Sequence, residues 1–82
     1  MSDLVIVQNK KQRVIACGEG SNFVSVHVET LITPGPNPVW EEVVMWDCTE
    51  WQTPGSEAFE AIMGCIMKVV SGVRVNRPTP NP

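Results

Sequence analysis

The chain has 82 residues, 43% of them apolar, and a formal net charge of −3. That length leaves room for one domain with a modest core, burying only about 60% of the surface its unfolded form exposes. No apolar run approaches the roughly 20 residues of a membrane span, Met1-Ser2-Asp3 has no basic n-region, and residues 4–7 are too few for a signal core, so a soluble cytoplasmic protein is expected.

Leu4, Val5, Ile6 and Val7 form a short, mainly β-branched run that reads as a strand. Asn9, Lys10, Lys11 and Gln12 are polar and turn-like, and Arg13, Val14, Ile15, Ala16 and Cys17 read as the return strand of a hairpin. Gly18-Glu19-Gly20-Ser21-Asn22 is a turn, because its two glycines reach positive φ without steric cost. Residues 23–32 are the clearest strand. Val24, Val26, Val28 and Ile32 alternate with Ser25, His27 and Glu29, the period of a half-buried antiparallel strand.

Three prolines in residues 33–38 require a stiff connecting loop. Residues 39–48 resume as a strand with imperfect alternation. Val39, Val43 and Met45 are expected on one face, Trp40, Val44, Trp46 and Cys48 on the other, and Glu41 and Glu42 on opposite faces. Both faces carry apolar groups, so this strand is either covered twice or exposes aromatic surface.

Residues 53–72 carry the strongest local signal. Phe59, Ile62, Met63, Ile66, Met67 and Val70 recur at helical spacing and mark the expected buried stripe. Thr53 is the expected N-cap, Pro54 the first helical residue and Gly72 the left-handed terminator. Glu57, Ala61, Gly64, Lys68 and Ser71 form the opposite, solvent-facing back. A polar residue at Ile62 or Ile66 is expected to unfold the domain. Val73, Arg74, Val75 and Asn76 could add a short edge strand, and the tail after them is rich in proline.

The expected fold is α+β: a four-stranded, mainly antiparallel sheet with one C-terminal helix packed on one face. It occupies residues 1–76 as a single domain, with residues 77–82 as a flexible proline-rich tail.

The candidate chemistry is sparse. Cys17, Cys48 and Cys65 are an odd set without a C-x-x-C pair, so they read as small buried hydrophobes and not as a disulfide framework. A metal site with His27 lacks the short paired spacing of zinc motifs, and no metal or cofactor is expected. Ser25, His27 and Glu29 share a strand face. Their i, i+2 spacing of about 7 Å is too long for a direct Ser–His–Glu relay without strong bending. Glu41 and Glu42 point apart and cannot act as a glycosidase pair. No enzyme is expected.

Between Trp40 and Glu60 lie six acids (Glu41, Glu42, Asp47, Glu50, Glu57 and Glu60) and no base. This lobe repels phosphate, so direct nucleic-acid binding is disfavoured. Trp40, Trp46 and Trp51 lie in the same stretch, and tryptophan is enriched at binding hot spots. At least two of the three are expected to fill the core.

The leading expectation is a small, non-enzymatic protein-binding module. Its partner-binding residues are Trp40, Glu41, Glu42, Trp46, Asp47, Glu50 and Trp51, and its partner is a protein with a basic surface. One version is an inhibitor of a nucleic-acid-handling complex, whose carboxylates imitate phosphates. Small acidic anti-defence proteins of bacteriophages work that way, an analogy resting on size and charge. The alternative is a structural subunit that self-associates through sheet edges and its tail.

Overall fold

The computed structural model describes residues 2–19 and 22–77, and the side chains of all of these except Ser2 and Asn22. Four strands, β1 (Ser2–Gln8), β2 (Gln12–Glu19), β3 (Asn22–Thr33) and β4 (Val39–Trp46), precede a 3-10 turn at Thr49–Gln52 and a helix, α1 (Glu57–Ser71). The strands form one antiparallel sheet in the order β1-β2-β3-β4, and α1 packs on one face above β1 and β2. The expected ββββα order and α+β class hold. Each connection is short, so each strand pairs with its sequence neighbour.

Val14, Val26 and Val28 from the middle strands meet Ile62 and Val69 of α1 and Val75 beyond it, and these six make the buried core. Ile6, Val7, Val43, Val44, Trp46, Trp51, Cys65 and Ile66 pack around them. The alternation of β3 is therefore realised in its centre, with Val26 and Val28 under the helix. Val24 and Ile32, expected on the buried face, are exposed near the two ends of the strand.

The helix begins later than expected. Thr53, Pro54, Gly55 and Ser56 form a turn, closed by the Ser56 N–H donating to the Thr53 carbonyl at 3.2 Å. Proline in its second position and Gly55 at φ +91° in its third are the signature of a type II turn. The left-handed glycine bars helix through it, so the cap passes from Thr53 to Ser56, whose hydroxyl accepts from the Phe59 N–H at 3.1 Å. At the other end Gly72 stands at φ +78°. Its N–H reaches the Val69 carbonyl and that of Val73 the Lys68 carbonyl, a Schellman closure.

The buried stripe of α1 is rotated from the expected one. Ala58, Ile62 and Val69 are buried and Cys65 and Ile66 half-buried, whereas Met63, Met67 and Val70 are exposed. At about 100° per residue the apolar arc, from Cys65 round to Met67, spans roughly 200°. One sheet cannot cover so wide an arc. The back of the helix, Glu57, Ala61, Gly64, Lys68 and Ser71, is exposed as expected.

Two further expectations are corrected by backbone detail. In β4 the register against β3 jumps between Val44 and Glu42, leaving Val43 as the extra residue of a bulge. The bulge inverts the alternation on its N-terminal side. Trp46 and Val44 lie under the helix, while Trp40 and Met45 lie on the uncovered face. Residues 73–77 add no strand. They cross the helix side of β2 and β3 as an irregular segment, pinned by Gln12, which belongs to β2 and is 1% exposed. Of the expected flexible tail only Arg77 is described, and residues 78–82 lie outside the described residues.

Candidate functional site

The uncovered face of the sheet carries most of the polar side chains that the fold brings together. Asp3 and Val5 of β1, Cys17, Ile15 and Arg13 of β2, Ser25, His27, Glu29 and Leu31 of β3, and Met45, Glu42 and Trp40 of β4 stand opposite one another across the strands. Cross-strand pairing turns them into two small networks. In the first, the Arg13 Nε donates to Glu29 Oε1 at 2.7 Å while its guanidinium lies 4.1 Å from the centre of the Trp40 ring. An ion pair and a cation–π contact thus hold one side chain.

In the second, His27 stands between two partners. Its Nε2 is 3.2 Å from Ser25 Oγ and its Nδ1 is 2.7 Å from Glu42 Oε1. Strand positions i and i+2 are too far apart for a direct Ser–His–Glu chain. The imidazole itself spans that distance, and the carboxylate comes from the neighbouring strand, Glu42 and not Glu29. The bond geometry of a relay is present, with its serine buried. Ser25 is 8% exposed on a sheet face, and it lines neither of two cavities among the described residues. One, of about 320 Å³, is lined by Asn9, Lys10, Lys11, Gln12, Gly72 and Arg74. The other, of about 200 Å³, lies under the C-terminal segment between Ile32, Val43 and Val75. A serine-directed phosphonate probe is therefore expected to leave the protein unlabelled; labelling of Ser25 that His27→Ala abolishes would contradict this.

The cysteines do not assemble. Cys17 lies on the uncovered face, and Cys65 packs from α1 against the core on the other side of the sheet. Among the described residues no three His, Cys, Asp or Glu side chains converge as metal ligands. Burial pushes the Cys17 thiol up, helped by its hydrogen bond to Asp3 and the charges of Asp3 and Glu29, with Arg13 opposing. Burial also raises Cys65, against the pull of Lys68. Both are thereby kept in the unreactive thiol form.

The candidate partner-binding residues divide between the two sides of the sheet. Trp46 and Trp51 pack against the core beneath the helix, and the Trp51 Nε1–H is buried without a partner among the described residues. Nothing in the structure explains that orphaned donor. Trp40 alone lies on the uncovered face. Glu41 faces the helix side, where the Arg77 guanidinium reaches it at 3.1 Å, and Glu42 faces His27. Asp47 and Glu50 are exposed where the chain leaves β4 for the 3-10 turn.

Charge is sorted along the strands. Three of the nine acids, Glu29, Glu41 and Glu42, pair with Arg13, Arg77 and His27. Asp3, Glu19, Asp47, Glu50, Glu57 and Glu60 have no ion pair among the described residues, and the topology gathers them at one end, where β1 and α1 start and β2 and β4 finish. Lys10, Lys11, Lys68 and Arg74 lie at the opposite end, around the β1–β2 turn and the last turn of α1. The sequence showed the acid-rich stretch. It could not show that Glu41 and Glu42 are answered from within the chain, or that Asp3 and Glu19 join the others.

No helix among the described residues is long and apolar enough to cross a membrane. Comparison with protein-family models, curated proteins and solved structures gives no match for this chain.

Proposed function

We propose that this protein is a non-enzymatic binding module that recognises a basic surface on another protein through the rim of β4 and the acidic end of the sheet. The observation that carries the reading is the exposure of Glu41, Glu42, Asp47 and Glu50 along one edge strand and its exit. Glu41 and Glu42 are oriented by Arg77 and His27 yet remain exposed, so they can exchange or share those partners with an incoming cation. Asp47 and Glu50 have no ion pair among the described residues and supply the long-range attraction that steers a basic partner. Trp40 lies beside the rim on the uncovered face and offers an apolar anchor, already stacked against Arg13. An inhibitor that occupies a phosphate-binding groove is one form of such a module.

The test compares affinity capture by the native protein and by the Asp47→Lys/Glu50→Lys variant. Both positions are exposed, so circular dichroism and thermal melting are expected to be unchanged. A partner held by the native chain is expected to be lost from the variant at low salt, with the association rate falling most. Equal capture by both proteins would sink the reading.

A further inference from the structure

The strip of α1 that the sheet leaves uncovered has a definite place in the fold. Met63, Met67 and Val70 follow one another at i, i+4 and i+7, and Met67 and Val70 are 66% and 68% exposed. α1 runs antiparallel to β2, since its C-terminal turn meets the β1–β2 turn where Asn9 Nδ2 donates to the Val69 carbonyl at 2.9 Å. With Ile62 and Val69 turned to the sheet, the right-handed progression of the helix carries the strip round to the β1 side. It there overhangs the edge of the sheet. Leu4, opposite Ala16 on the helix face of β1, is itself exposed and extends the strip.

That edge is open. β1 pairs only with β2, and its outer backbone groups have no strand partner among the described residues. The opposite edge is blunted: the Arg77 guanidinium donates to the Glu42 carbonyl of β4 at 2.8 Å, and the β4 bulge interrupts the edge beside it.

We propose that the β1 edge and the Met63–Met67–Val70 strip bind a second copy of this chain across a two-fold axis perpendicular to the sheet. β1 then meets β1 antiparallel, and the two helices lie side by side, also antiparallel. Charge complementarity selects this occupant. An antiparallel match brings the acidic end of one copy, with Asp3, Glu57 and Glu60, beside the basic end of the other, with Lys10, Lys11 and Lys68. A parallel match would place like charges together. The centre of the strip is uncharged, so the two-fold brings apolar groups onto apolar groups. The bulge between Val5 and Val7 limits strand pairing to a few residues and leaves most of the contact to the helices. The surface differs from the β4 rim, and the dimer would carry two such rims at its far ends.

Light scattering after size-exclusion chromatography, with sedimentation from low micromolar to millimolar protein, tests this. The expected particle is a concentration-dependent dimer of the 9.0 kDa chain. Met67→Glu/Val70→Glu changes two exposed residues and is expected to weaken association at least about 100-fold, with the circular dichroism spectrum unchanged. Lys10→Glu/Lys11→Glu is expected to weaken it about tenfold. Asp47→Lys/Glu50→Lys, which follows the opposite edge strand β4, is expected to dimerise as the native chain does. A monomer throughout, or a dimer indifferent to the Met67/Val70 variant, would overturn the proposal. The capture experiment on the β4 rim is decided independently.

Discussion

Ile62→Asp is expected to abolish the cooperative melt, while Met67→Asp, five residues along the same helix, leaves it within a few degrees of native. Ile62 is 1% exposed and meets the valines of β2 and β3. Truncating such a side chain costs about 2–5 kcal/mol, and a carboxylate in its place adds the cost of a buried charge with no partner. A domain of this size holds only about 4–12 kcal/mol in total. Met67 is 66% exposed, and surface substitutions of that kind stay within about 0.5 kcal/mol. The comparison is made by circular dichroism at micromolar concentration, where dimer contacts contribute least. Equal destabilisation at the two sites would mean that the buried face of α1 has been misplaced.

That contrast marks where the sequence ceases to be legible. The helix end at Gly72 and the alternation through Val26, Ser25, Val28 and His27 are local patterns, and both appear in the fold. The rotation of the helix is not local. Its apolar arc is wider than one sheet can cover, and packing above β1 and β2 decides which part is buried. Trp40 and Trp46 were expected on one face, because nothing in residues 39–46 announces a bulge at Val43. At the candidate site the shared face of Ser25 and His27 was legible but the 3.2 Å contact between them was not, and their carboxylate partner sits 15 residues from His27 across a strand pairing. The pairing of Arg77 with Glu41 spans 36 residues. Interactions of that reach leave no periodic trace in a single chain.

Gln12→Ala is expected to be the most damaging substitution at a polar position. Read as sequence, Gln12 belongs to a solvated turn after two lysines. In the fold its side-chain amide acts as a substitute for a strand partner. Nε2 donates to Thr30 Oγ1 at 2.9 Å and to the Val75 carbonyl at 2.8 Å, and Oε1 accepts from the Val75 N–H at 2.8 Å. Alanine leaves the Val75 donor and acceptor and the Thr30 hydroxyl without this partner in a buried setting, at about 1–3 kcal/mol for each group that stays dry. The cheaper outcome is release of residues 73–77, which hydrates those groups and withdraws the Val75 side chain from the core. The expected loss is therefore about 3 kcal/mol, which lowers the melting temperature by roughly 15 °C in a domain of this length. The two contributions separate in a double-mutant cycle. Val75→Ala is expected to destabilise the native chain clearly, yet to add little once Gln12 is alanine, because the segment has already left. Amide exchange at Val75 is expected to accelerate in Gln12→Ala while Val26 and Val28 keep their protection. Additive effects of the two substitutions, with Val75 still protected, would show that the segment is held by the core and not by the glutamine.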